Sequence, residues 1–381
     1  MRIGIDARFF GGEQSKGLGR YTQKLIEHLL QVDQRNSYVL FVQKYAAVSK
    51  YKNQPRVEIV QAPYHWYSLA EQLFMPIKIR QANLDFMHFP HFNVPLWYRG
   101  PFVVTIHDLI ISRFPTERAT TLGPMMYRLK QFAYNRVIAH AAHHAKAIVT
   151  VSQYSKKDIV DFFQVPADRV VVTYEAVDDF TSQPVTESAA AAVLQRYGIH
   201  QPYLLYIGNA YPHKNLETLM QLMQQFKRQK TMPLTLVLVG KADYFYLRLQ
   251  QSAWARDVER QVVFPGFVPD HDLPALYRGA LAYIFPSKYE GFGLPPLEAM
   301  YYGTPVISSN SSCLPEVLGA AALYFDFQDV NGIMQQIQRL VADQALRANL
   351  IARGYQQVKR YNWRITAQTT LQLYESLFTK S

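Results

Sequence analysis

Short apolar runs alternate with longer amphipathic stretches along almost the whole chain. In the first half the runs are Ile3–Asp6, Tyr38–Val42, Val57–Val60, Phe102–Ile106, Ile148–Val151 and Val170–Val172. In the second they are Tyr203–Ile207, Leu234–Val239, Val262–Phe264, Leu281–Phe285 and Pro305–Ser308. Strands covered on both faces are near-continuously apolar, and their alternation with helical periodicity predicts parallel sheets joined by crossover helices. Between the two sets, Glu175–Gln201 is polar and Ala-rich, contains Gln183-Pro184 and lacks a β-branched core pattern. The expectation is an α/β chain of two doubly wound, Rossmann-like domains, residues 1–175 and 201–362, with 176–200 as linker. In such sheets ligands sit outside the carboxyl ends of the strands, so the two sets of ends are expected to face a cleft. Met125–Lys146 has helical spacing, with Met125, Leu129, Phe132, Val137 and Ala141 roughly on one side. That stripe is expected to pack inward with Arg128, Lys130 and Arg136 solvated. A contact with anionic lipid is the alternative.

Length agrees with this division, since 381 residues exceed one ordinary core and fit two. With 49% hydrophobic and 18% charged residues the chain is globular rather than disordered. No apolar run approaches the roughly 20 residues of a bilayer crossing, and Met1–Arg8 has the pattern of a strand rather than a leader peptide. The single cysteine, Cys313, excludes an internal disulfide and a thiolate metal cluster. Together these point to a cytoplasmic protein. An excess of 40 Lys+Arg over 29 Asp+Glu, a net charge of +11, favours an anionic partner. No nucleic-acid module is recognisable, so phosphorylated substrates and acidic lipid surfaces rank first.

The richest local pattern is Lys288-Tyr-Glu-Gly-Phe-Gly-Leu-Pro-Pro-Leu-Glu-Ala-Met300, which follows a predicted strand. Gly291 and Gly293 permit a sharp turn and close backbone approach. Pro295 and Pro296 suit the first turn of a helix, predicted from Leu297 onward, with Glu298 in that turn. Free amides at a helix start favour phosphate, and the carboxylates of Glu290 and Glu298 flank them. Other polar clusters also follow strands. Gly11–Tyr21 is a Gly-rich turn leading into a helix through Leu30. His107-Asp108 ends Phe102–Ile106, where an imidazole oriented by a carboxylate suits a sugar hydroxyl. His88, Pro90, His91 and Asn93 follow another strand. Tyr206–Leu216 opens the second domain with His213-Lys214-Asn215, and Pro265–Leu273 carries Asp270, expected to cap the next helix. Tyr64–Met75 is aromatic and suits a sugar face or a lipid interface.

Glu290–Met300 resembles the double-glutamate motif of the family-four retaining glycosyltransferases, which have the GT-B architecture. The Gly-rich loop, the Thr-Ile-His-Asp-Leu segment and Pro-His-Lys-Asn are similar to further segments of that family, in its order. The resemblance implies that Glu290 binds donor-sugar hydroxyls and Glu298 the ribose. Amides of Gly291, Phe292, Gly293 and Leu294 would meet phosphate and sugar, and Lys214, helped by His213, would neutralise the leaving diphosphate. Gly17 and Gly19 would approach the donor, Val268 and Leu273 would neighbour the base, and His107 would hold the sugar. The closing helix, Trp363 onward, would cross back onto the first domain. The family usually has arginine where His213 stands, so a second cation is in doubt unless the diphosphate holds His213 protonated or Lys288 or Arg20 compensates. The resemblance is nearest to mannosyltransferases using GDP-mannose, with UDP-glucose, UDP-N-acetylglucosamine and dTDP-rhamnose open. The acceptor is a hydroxyl of a glycan or lipid-linked glycan, as in polysaccharide or O-antigen assembly. No metal or other cofactor is expected. A hydrolase, a phosphorylase, an epimerase and a non-catalytic glycan-assembly partner are the alternatives the residues leave open.

Overall fold

The computed structural model describes all residues except 11–16, 116–122, 178–185, 231 and 379–381. The first six residues of the Gly-rich loop, Gly11–Lys16, and the Gln183-Pro184 pair therefore lie outside the described residues. The chain divides into two compact units. One comprises Met1–Ser112, Leu122–Glu175 and Asn362–Ser381; the other comprises Arg113–Thr121 and Ala176–Tyr361.

The first unit is built on a seven-stranded, wholly parallel sheet: β1 (Arg2–Asp6), β2 (Ser37–Val42), β3 (Val57–Gln61), β4 (Phe86–Phe89), β5 (Phe102–Thr105), β6 (Ala147–Thr150) and β7 (Val170–Val172). Its spatial order is β3-β2-β1-β4-β5-β6-β7. The second has six parallel strands: β8 (Tyr203–Ile207), β9 (Thr235–Val239), β10 (Val262–Gly266), β11 (Ala282–Phe285), β12 (Val306–Ser309) and β13 (Ala322–Phe325), ordered β10-β9-β8-β11-β12-β13. Both are doubly wound. The order reverses between β1 and β4 in one sheet and between β8 and β11 in the other, and those are the positions where such sheets open a ligand crevice.

Two strands escape the hydrophobic pattern. β4 is interrupted by His88, and β13, Ala-Leu-Tyr-Phe, lacks β-branched residues. His88 thus lies within a strand rather than after it. It is fully buried, its Nδ1 bonded to the Tyr374 hydroxyl at 2.5 Å and its Nε2 to Thr105 Oγ1 at 2.9 Å. Burial above all, with the neighbouring His107, pushes its pKa down to about 3, so a neutral ring serves the core instead of the mouth. Tyr374 belongs to the final helix, Trp363–Phe378. That helix packs on the first unit through Phe378 stacked on Phe86, Trp363 edge-on to Tyr21, and Thr366, whose hydroxyl donates to the Tyr174 carbonyl.

Two helices differ from their sequence reading. In Pro124–His144, Val137 and Ala141 are buried, but Met125 is 85% exposed, Leu129 60% and Phe132 58%. The apolar stripe packs inward only along its C-terminal half. Residues 176–200 contain a packed helix, Glu187–Arg196, lying on Leu273–Gly279 of the second unit. Arg196 and the hydroxyl of Tyr197 both donate to Asp272 there, at 3.1 and 2.7 Å. No helix among the described residues is long and apolar enough to cross a membrane.

Candidate active site

In the second unit two loops meet over the β8–β11 switch point. After β8 the chain makes a short turn, Pro212–Lys214, and reaches Asn215 at φ +60°. Asparagine tolerates that left-handed geometry, and its side-chain amide donates to the carbonyls of Pro286 and Phe327, tying the turn to the loops after β11 and β13. The Lys288 amide donates to the His213 carbonyl at 2.8 Å and joins the loops again. This brings the Lys214 ammonium against both oxygens of Glu290, at 2.7 and 2.9 Å. The lysine side chain is 15% exposed and the glutamate 8%, so the pair is largely withdrawn from water while keeping an opening. At such positions charge-assisted bonds outweigh those of surface pairs.

The turn after Glu290 is held from beneath by the segment following β12. The Glu290 amide donates to Ser312 Oγ at 2.9 Å, and the Cys313 thiol lies 3.2 Å from the Glu290 carbonyl and 3.3 Å from that of Phe292. Burial pushes this thiol well above its ordinary pKa, which keeps it a donor rather than a nucleophile. Gly293 has φ +94°, and a Cβ there would stand 2.8 Å from Leu314 Cδ2, so glycine is demanded twice over. Gly291 is not in the left-handed region, and its freedom is not what makes the turn. The helix begins at Leu294, with both prolines in its first turn, not at Leu297. Glu298 consequently falls in the second turn, where the Tyr277 hydroxyl donates to its Oε2 at 3.0 Å. The Phe292 ring is core, edge-on to Tyr361.

His213 is neutral. Burial first, then the charge of Lys214, pushes its pKa down to about 4, against an opposing pull from Glu290. In the fold itself, Lys214 is therefore the charge that the turn carries. Val268 and Leu273 are both buried, whereas Phe267 in the same loop is 53% exposed. Asp270 is not the cap of Leu273–Gly279: Asp272 occupies that position, and its carboxylate is spent on Tyr197 and Arg196.

Within the first unit, Gly17 is the N-cap of helix Leu18–Val32 at φ +66°, and Gly19 is buried in its first turn. Tyr21, one step on, sets its ring edge-on to His107 at 4.5 Å. His107 Nδ1 donates to Glu175 Oε1 at 3.2 Å and Nε2 to the Pro90 carbonyl at 3.1 Å. Two acceptors require both nitrogens protonated. Burial opposes that charge, but Glu175 outweighs it and the pKa is raised. The orienting carboxylate is thus Glu175, not the adjacent Asp108, whose Oδ1 accepts from the Ile110 amide. Motif reading missed Glu175, Tyr277 and Ser312, and it noted Cys313 only as the single cysteine; each acts here through a partner distant in sequence.

The match to known proteins covers both units. Residues 15–179 fit the family model described as Glycosyltransferase Family 4, and residues 195–357 fit Glycosyl transferases group 1. The chain is 32% identical to O-antigen chain mannosyltransferase B of Escherichia coli, over 95% of this chain and 96% of that one. It is 29% identical to the serotype-specific mannosyltransferase WbdA of Escherichia coli over 77% of its length, spanning about a third (35%) of that longer protein. Among solved structures, sucrose-phosphate synthase from Thermosynechococcus elongatus has the same fold at a TM-score of 0.73, with 20% identity and 100% of both chains covered.

Proposed function

Because this chain belongs to the family 4 glycosyltransferases of GT-B architecture and is a mannosyltransferase-like enzyme, we propose that it moves mannose from GDP-mannose, with retention, to a hydroxyl of a glycan or lipid-linked glycan. The assignment to O-antigen-type polysaccharide assembly rests on its relatives. The observation that carries the chemistry is the Lys214–Glu290 pair over the β8–β11 switch point. In the reaction the bond from sugar C1 to the diphosphate oxygen breaks, the acceptor oxygen bonds to C1, and the acceptor proton passes to the departing diphosphate. Negative charge grows on the departing diphosphate, and Lys214 is the fixed cation that stabilises it. Glu290, released from the ammonium, accepts hydrogen bonds from donor-sugar hydroxyls. Glu298, held by Tyr277, does the same for the ribose, while amides at Gly291–Leu294 meet phosphate. Gly17 and Gly19 approach the donor and Val268 neighbours its base, with His107 on the sugar. Each role is positioning or electrostatic, and the residues proposed here call for no divalent metal.

A peripheral, cytoplasmic-face placement is part of the proposal. Helix Pro124–His144 exposes Met125, Leu129 and Phe132 beside Arg128, Lys130 and Arg136, and its sequence has no acidic residue. Such a face suits an anionic membrane.

The test is a thermal-shift series of nucleoside diphosphates and their sugars, with Glu298→Ala alongside. A donor at about 100 times its dissociation constant stabilises by about 2.7 kcal/mol. GDP-mannose stabilising the wild type but not the variant supports the reading; no shift with any nucleotide refutes it. The anomeric configuration of the product by NMR decides retention, and activity persisting in chelator decides metal independence.

A further inference from the structure

In the second unit β8 and β11 diverge at the crevice. Their ladder pairs only Leu204 with Ala282 and Leu205 with Tyr283, whereas β8 stays beside β9 as far as Ile207 opposite Val239. Three tyrosines from three elements take the carbonyls that follow. The Tyr283 hydroxyl, on β11, donates to the Ile207 carbonyl at 3.1 Å and lies 3.4 Å from the Ile207 amide. The Tyr246 hydroxyl, on helix Tyr244–Gln250, donates to the Gly208 carbonyl at 2.9 Å and lies 3.0 Å from that of Val239. The Tyr206 hydroxyl, on β8 itself, donates to the Asn209 carbonyl at 2.8 Å. Three consecutive carbonyls are thus each bonded by a phenol, and all three tyrosines are buried.

Glycines clear the space for this. A Cβ at Gly208 would stand 2.7 Å from Tyr206 Oη, and one at Gly240 would stand 2.3 Å from the Gly208 carbonyl oxygen. Burial raises all three phenols well above their ordinary pKa, so each stays a protonated donor. Beyond them the Asn209 side chain accepts from the Tyr211 amide at 3.4 Å, and the Tyr211 carbonyl accepts from the Lys214 amide at 2.8 Å. The fixed carbonyls therefore lead bond by bond to the ammonium. Asn209 is exposed and Ala210 half-buried, and neither amide is bonded among the described residues.

The geometry points to Tyr206, Tyr246 and Tyr283 as positioning residues for the leaving diphosphate, an assignment that rests on the glycosyltransferase reading above. Holding three carbonyl oxygens in the core leaves amides and the Lys214 ammonium as what this loop offers an anion. A carbonyl turned outward would set partial negative charge against the phosphates. Dipoles fixed before the reaction need no reorganisation as charge grows on the leaving group. A purely structural role makes a different prediction, and Tyr203 supplies the comparison. It is fully buried at the start of β8, and its hydroxyl donates to the Leu276 carbonyl at 2.6 Å.

The experiment compares Tyr206→Phe, Tyr246→Phe and Tyr283→Phe with Tyr203→Phe in the full chain. Each change keeps the ring and removes one hydroxyl. Calorimetric titration with GDP and UDP, which share the diphosphate, reads affinity, and thermal unfolding reads the fold. The three crevice variants are expected to weaken the bound nucleotide by about tenfold, and Tyr203→Phe by no more than about twofold, at similar losses of Tm. Hydrogen–deuterium exchange of segment 207–211 in the wild type is expected to slow when that nucleotide binds. Equal weakening by Tyr203→Phe, weakening in step with lost Tm, or nucleotide bound without added protection of the segment overturns the positioning role and leaves the enzyme reading intact. Neither nucleotide binding to the wild type removes the underlying function and this role with it.

Discussion

Both sheets place buried charge beyond the strand ends at their switch points, but they close it differently. In the first unit Arg8 is shared by Asp6 and Glu71, both of which are buried, and Glu71 is further bonded by Asn93 and the Tyr67 amide. In the second, Lys214 meets only Glu290 among the described residues at hydrogen-bonding distance, with side chains 15% and 8% exposed where those of Arg8 and Glu71 are fully buried. A planar guanidinium between two carboxylates is locked. A compact ammonium on one carboxylate can exchange that partner for a phosphate. The difference teaches that the first cluster is closed on itself, while the second keeps an exchangeable pair, as the counterion role proposed for Lys214 requires.

The sharpest way to break this contrast is Glu71→Ala. It leaves Arg8 short of a partner in a dry site and is expected to cost about 3–5 kcal/mol in urea unfolding. Lys214→Ala is expected to act on the other axis, lowering kcat by about 10² to 10³ because a transition-state charge loses its stabiliser. Its effect on unfolding should be far smaller than that of Glu71→Ala. Equal destabilisation by the two would erase the distinction.

The next effect is pH dependence. His213 is neutral in the fold at a pKa of about 4, while the unfolded chain takes up that proton below about 6.5. Its contribution is therefore present above about 6.5 and lost as pH falls toward 4. His107 is raised, so its pairing with Glu175 stabilises below about 6.5 and is lost as pH climbs through the raised value. His213→Asn should flatten the acid limb of the stability profile and His107→Gln the alkaline limb. The smallest change is Ser312→Ala, which removes one bond of about 1 kcal/mol under the Glu290 turn. A rise of about fivefold in donor KM with Tm nearly unchanged is the expected readout.

The sequence carried the two sheets and the order of their site loops because buried parallel strands are almost uniformly apolar. It missed β4 and β13, where a core histidine and an alanine-led strand break that signal. Glu290 and Lys214 could be singled out because glycine and proline mark their turns and the segments resemble family motifs; that the two side chains pair could not be read. The partners that fix them were not legible either. Ser312 to Glu290 and Glu175 to His107 are long-range pairings that depend on the packing of separate elements. The neutrality of His213 likewise comes from burial, which a residue string does not encode.

The most direct test of the exchangeable counterion is a calorimetric titration of GDP into the wild type and into Lys214→Gln. The account predicts binding to the wild type, weakened about tenfold or more in the variant. GDP binding equally to both proteins, or to neither, would contradict it.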